Sequence, residues 1–250
     1  MIDLIADKTE FNKFIAILPD LIKDENYFLS LSARNKYLNT EERDFYQLGR
    51  TEMFGRLLAR SKDDYIIKMK DLAVKLQSRT TNNGKEVPSK AVVCYANINP
   101  TSMVKAYEMF MDEMNKEILA SFYAEQKKKE ANYESIKFAD RVFMNCCQKA
   151  RSRRVYIDVD MDTKDKDIFD SFSESLDTSI KHHIIETHGG YHFLIKCDTI
   201  PDKFNLYMHV DKADYKAKRL AEPKEVIINK NQMVPIPGTN QSDFLVKVIK

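Results

Sequence analysis

At 250 residues with 43% hydrophobic content, the chain is long enough for one large domain or two small ones, and it can bury a real core. Its 40 basic residues against 38 acidic ones leave a formal net charge of +2, so a surface for a polyanion must come from local segregation of charge rather than from bulk basicity. Cys94, Cys146, Cys147 and Cys197 form no CxxC pair and have no clustered His partner, which argues against a zinc knuckle and a secreted disulfide framework. The charged, amphipathic first twenty residues hold no apolar run of a signal peptide, and no stretch approaches the roughly 20 apolar residues of a membrane span. A reduced, cytoplasmic protein is expected.

In chain order, apolar spacing predicts an amphipathic helix over 10–23 and a strand over 27–33. Helices follow the capping-box-like Thr40-Glu41-Glu42-Arg43 and Asp63. Arg50, Arg56 and Arg60 are expected on one helix, with Arg56 and Arg60, four apart, on one face. A strand over 91–96 ends at Asn99-Pro100, and a long helix runs from Met103 to Tyr123 into a charged stretch at 126–130. Met103, Met109, Met111 and Met114, with Cys146 and Cys147, read as helix core. From Val155 the order is strand (155–160), helix (165–180), strand (183–187), a Gly-Gly turn, strand (192–197), helix (203–221) and strand (225–229). A last hairpin, 233–236 with 244–249, is expected to extend or flank that sheet. This is an α+β protein with a β-α-β-β-α-β half, the RRM-like plan, whose antiparallel sheet carries both helices on one face and leaves the other open.

Side chains alternate along a strand, so Val155, Ile157 and Val159 are expected to face the helices while Tyr156, Asp158 and Asp160 share the open face. Next-but-one strand positions lie about 6.6 Å apart, a spacing from which two carboxylates can converge on ions about 4 Å apart. Hard oxygen ligands suit Mg²⁺ or Mn²⁺. The alternative is an acidic strand end that favours the following helix N-terminus. An EF-hand is excluded, because its sixth position would be Thr163 and its twelfth Phe169. In Thr187-His188-Gly189-Gly190-Tyr191-His192 the glycines permit a tight turn, and His192 and Leu194 share one face of the next strand. Pro237-Gly238-Thr239 could offer a backbone N–H and a hydroxyl to phosphate, or simply make a turn.

Taken together, these motifs resemble the archaeo-eukaryotic primase superfamily. The hhhDhD strand is Val155-Tyr156-Ile157-Asp158-Val159-Asp160, and the histidine strand lies around Thr187-His188-Gly189-Gly190-Tyr191-His192. The third acidic position is Glu225, where the family usually has Asp. The resemblance covers mainly residues 150 to 250. It implies metal binding at Asp158, Asp160 and Glu225, with His192, His188, Thr187, Gly190, Thr239 and Arg34 at the incoming nucleotide. Template contacts are expected from Arg56, Arg60 and Arg153. It further implies one catalytic unit (1–250) built from an amino-terminal α/β module (1–100), a helical insertion (101–150) and the RRM-like module with the metal site (151–250).

The implied activity is de novo, template-directed primer synthesis by two-metal nucleotidyl transfer on single-stranded DNA from nucleoside triphosphates. A separate helicase or replicative polymerase would be its partner, in the replication of a phage or another mobile element. The alternatives are a catalytically silent single-strand-binding module, a gap-filling repair polymerase, or a metal-dependent nuclease on the same acidic site.

Overall fold

A computed structural model describes residues 3–77, 79–81, 83–127, 133–200, 210–213, 219–220, 226–229 and 233–250. Helix α1 (Lys8–Ile17) starts where the Asp7 carboxylate accepts from the Thr9 and Glu10 N–H groups. Strand β1 (Glu25–Arg34) follows, then α2 (Thr40–Tyr46), β2 (Thr51–Ala59), α3 (Lys62–Gln77), β3 (Val92–Asn97) and the short β4 (Thr101–Ser102). The cap of α2 is Asn39, with Glu42 closing the capping box. Arg56 lies in a strand and not in the expected helix. Residues 51–59 pair antiparallel with β1, and that pairing overrides any helical spacing of the arginines.

The first sheet has the order β2-β1-β3, with β4 also pairing β1. Every β1 residue except Arg34 is buried, because both faces of the strand are covered. Leu29, Leu31 and Ala33 join Phe11 and Phe14 of α1 and Tyr65, Met69 and Leu72 of α3 in the main core. Phe28, on the opposite face, packs with Ala106 and Cys147. These belong to α4 (Met103–Gln126) and α6 (Ala139–Lys149), which flank the short α5 (Glu134–Lys137). Cys146 and Cys147 are core as expected, but Met111 is 52% exposed. It lies on α4 with the exposed side chains of Ile118 and Phe122.

The second sheet is antiparallel. It is built from β5 (Tyr156–Met161), β6 (His182–Glu186), β7 (Tyr191–Lys196) and β8 (Val226–Asn229), with α7 (Lys166–Ser175) between β5 and β6. The strands stand in the order β6-β7-β5-β8. Ile157, Val159, Phe193 and Ile195 turn one face onto Ile168 and Phe172 of α7. The expected helix over 203–221 and Glu225 lie largely or wholly outside the described residues, although Val210 and Ala213 join this core.

The carboxy-terminal segment does not form the expected hairpin on this sheet. Strand β9 (Met233–Pro235) adds to the first sheet beside β3, the hairpin β10 (Asn240–Gln241) and β11 (Phe244–Leu245) follows, and β12 (Lys247–Val248) pairs β6 of the second. The chain therefore stitches the two sheets together. Nor is the carboxylate face of the second sheet open. Tyr156, Ile185 and Leu194 project from it into the core shared with the first sheet, because apolar residues at those positions gain more by burial than by exposure. Among the described residues no helix is long and apolar enough to cross a membrane.

Candidate functional site

Register places the acidic strand against the histidine strand, with Asp160 opposite His192 and Asp158 opposite Leu194. Directly paired residues share a face, so the two carboxylates and the imidazole converge. Asp158 is 2% exposed and His192 6%, whereas the Asp160 side chain retains 20%. His192 Nδ1 lies 3.0 Å from Asp158 Oδ1 and 3.3 Å from Oδ2, and its Nε2 lies 3.7 Å from Asp160 Oδ1. Burial opposes a charge on this ring. The charge and hydrogen bond of Asp158, joined by Asp160 and Asp162, outweigh it and raise the imidazole to about 9.

The turn before β7 is built around Gly190. A Cβ there would stand 1.8 Å from the Met161 carbonyl oxygen and 2.7 Å from the Thr163 nitrogen, so only glycine lets the turn cross the end of the carboxylate strand. Thr187 is buried and closes the turn itself. Its N–H donates to the Gly190 carbonyl at 2.9 Å, and its hydroxyl accepts from the Gly190 N–H at 3.2 Å. His188 is exposed, and its backbone N–H donates to Gln241 Oε1 at 2.8 Å. The Gln241 amide donates in turn to Tyr37 Oη at 2.6 Å, and the Tyr37 ring stands edge-on to His188 at 5.5 Å. Burial, with Tyr95 nearby, pushes the Tyr37 phenol far above its usual range, so it stays a neutral hydrogen-bonding group.

Opposite charge comes from the end of β1. Arg34 Nη1 donates to Tyr95 Oη at 3.1 Å, and Asp162 lies within its electrostatic reach. Desolvation and neighbouring Arg34 hold the Lys36 ammonium below its ordinary range, against Asp162 and Asp160, which favour its charge. Arg34 and Lys36 therefore lie within electrostatic reach of the acidic residues at the end of β5.

The other expected contacts lie elsewhere. Thr239 is 1% exposed and gives its hydroxyl to the Ile236 carbonyl at 2.7 Å. Its neighbour Gly238, at φ +81°, accepts from the Ala6 and Asp7 N–H groups, so this turn anchors the start of α1. Arg56 bonds Asn145 of α6. Arg153 pairs with the buried Glu25 at 2.9 Å and reaches the Asp20 carbonyl. Arg60 follows Ala59, which pairs with Tyr27, at the opposite end of the sheet from Arg34 and its partner Thr51. Sequence reasoning did not find Tyr37, Tyr95 or Gln241. Strand alternation carries a signal for Tyr95, which pairs with Ser30. Gln241 has none, since it reaches His188 only through the fold of a segment 53 residues later.

The donor set of Asp158 and Asp160 suits a hard divalent cation in chemistry. Among the described residues, however, no group of three or more His, Cys, Asp or Glu is arranged to hold a metal ion, and the expected third carboxylate, Glu225, lies outside them. Compared with known proteins, the chain matches no family model, no curated protein and no solved structure.

Proposed function

We propose that this chain is a metal-dependent nucleotidyltransferase of the primase or primase-polymerase kind, with an RRM-like second half. The observation that carries the reading is the convergence of Asp158, Asp160 and His192 on one end of a sheet, opposite the cations Arg34 and Lys36. An acidic pair facing a basic pair suits a ligand that brings both divalent cations and a polyphosphate. The antiparallel strand order β6-β7-β5-β8, with α7 between β5 and β6, supports the RRM-like plan.

On this reading Asp158, Asp160 and Glu225 would hold Mg²⁺ or Mn²⁺, which would supply Lewis-acid activation of a hydroxyl and neutralisation of phosphate charge. The chain's own part is positional and electrostatic. His192, with Nδ1 fixed on Asp158, presents its Nε2 edge toward Asp160 and the ligand, and Lys36, with Arg34 beside it, adds positive charge from across the cleft. Gly190 keeps the backbone low enough for a nucleotide to approach the acidic strand.

The silent-module alternative needs an open sheet face on which bases stack. Here one face is covered by α7 and the other contributes Tyr156, Ile185 and Leu194 to the core. The test is incubation with unprimed single-stranded DNA, labelled ribo- and deoxyribonucleotides, and Mg²⁺ or Mn²⁺, beside the Asp158→Ala, Asp160→Ala protein. Metal-dependent products lost in the variant support a primase and reveal its sugar preference. Products only on a primed or gapped template indicate a repair polymerase, strand cleavage indicates a nuclease, and retained strand binding without products indicates the silent module.

A further inference from the structure

On the far side of β1 from the main core, Arg34 also lines a cavity of about 240 Å³, together with Ser32, Thr51, Met53, Tyr95 and Met233. Four strands and a helix build it. Ser32 and Arg34 lie on β1; a bulge that skips Phe54 brings Met53 and Thr51 of β2 opposite them, and β9 carries Met233 past Tyr95 of β3. Gln148 of α6 also lines it. Its volume falls below the range of whole drug-sized ligands, which fits one heterocycle and not an entire nucleotide.

The lining chemistry is that of a ring site. Two thioethers and a phenol ring offer polarizable contact surface, and sulfur–aromatic contacts are favourable. Among the described residues that line it Arg34 is the cation, and its Nη1 already donates to Tyr95. Arg34 Nε, by contrast, is buried with no hydrogen-bond partner among the described residues. A buried donor left unpaired costs free energy unless a partner meets it. A phosphate would need several donors, whereas a base edge needs one or two. Because arginine only donates, the edge that suits it is the O6/N7 pair of guanine. Adenine would turn its N6 amino group toward the cation.

We infer that this cavity is a guanine pocket adjoining the carboxylate site, in which the base lies against Met53, Met233 and Tyr95 with its O6/N7 edge toward Arg34. The inference rests on the reading of that site as a nucleotide site. The base could arrive on a free nucleotide or on a template strand, and the experiment separates the two.

The full chain is labelled at its methionine methyl carbons, and Met53→Leu and Met233→Leu spectra assign the two signals. It is then titrated with guanosine monophosphate, adenosine monophosphate, inorganic tripolyphosphate, and an oligothymidine carrying a single guanine. Ring-current shifts of both methyls with guanosine monophosphate, at least severalfold tighter than with adenosine monophosphate and absent with tripolyphosphate, support the pocket. Shifts seen only with the oligonucleotide also support it and assign the base to the template. Arg34→Lys, with its other methionine signals unmoved, should weaken guanine binding by roughly tenfold or more. Unmoved Met53 and Met233 methyls with every guanine ligand, or equal shifts with tripolyphosphate, overturn the pocket. The readout is independent of incorporation: products with unmoved methyls leave the transferase and remove the pocket, and moved methyls without products do the reverse.

Discussion

His192 stands opposite Asp160 in the strand register, yet its Nδ1 goes to Asp158, the next residue of β5 on the same face, at 3.0 Å. The diagonal bond joins two buried polar groups of the cleft and leaves Asp160 the more accessible carboxylate.

One consequence is a titration. The His192 pKa is raised to about 9 from the ordinary 6.5, so the stabilisation it confers is complete below pH 6.5 and is lost as pH rises through 9. A displacement of that size corresponds to about 3 kcal/mol. Imidazole NMR on the metal-free protein should show one histidine still charged at pH 8, and denaturant midpoints should fall between pH 7 and 10. A His192 signal that titrates near 6.5 would show that Asp158 does not hold its proton.

Asp158 and Asp160 should separate by stability and not by activity. Asp158→Asn breaks a buried ion pair and should cost about 3–5 kcal/mol, while Asp160→Asn, at a partly exposed position, should cost about 1 kcal/mol or less. Both should abolish nucleotide incorporation. Urea unfolding without metal, beside the incorporation assay, reads the two effects apart. Equal destabilisation by both would mean that Asp160 is as structural as Asp158.

Gly190→Ala should distort the end of β5, because the new methyl overlaps the Met161 carbonyl. A loss of about 2–3 kcal/mol, near the top of the ordinary range for single substitutions, should lower the melting temperature by about 5–10 °C. Scanning calorimetry checks it, and an unchanged melting temperature would show that the turn can move off the strand without cost.

For Arg153 the structure predicts a structural role in place of the expected template contact. Desolvation works against the Glu25 charge, but Arg153, with the Ile22 N–H, holds its pKa below the ordinary 4.5. The pair's stabilisation is therefore present above that value and lost as pH falls through the lowered one. Arg153→Ala should destabilise by about 2 kcal/mol at neutral pH, and Glu25→Gln in the same chain should recover part of that. DNA affinity of the folded fraction, measured by fluorescence anisotropy, should stay within about twofold of the parent. A larger fall would restore Arg153 as a template contact.

Much of this architecture is legible in the sequence where one local period dominates. The alternation Ile157 to Asp160 fixes which side chains face α7, although Val155, just before β5, packs on the other core instead of facing the helices as expected, and Gly189-Gly190 marks the turn. Reading fails where distant chain decides. Arg56 became a strand residue because β1 was there to pair with it, and 233–236 left its expected partner because β3 offers an edge that the local sequence does not announce. The Tyr37–Gln241–His188 contacts are invisible for the same reason, and the closed face of the second sheet follows from a core that only the assembled pair of sheets creates.

The placement of β9 has a consequence for biosynthesis. Ala96 pairs with Val234, so the outermost strand of the first sheet is supplied more than a hundred residues after the strand it borders. While a ribosome is still making the second sheet, β3 waits with an unpaired edge, the kind of edge on which nascent chains associate wrongly. Completion must come late and all at once, when 233–248 closes over both sheets. A long-range closure of this kind makes for slow, cooperative folding, and a protein cut between the halves should yield two insoluble pieces that recover only when refolded together.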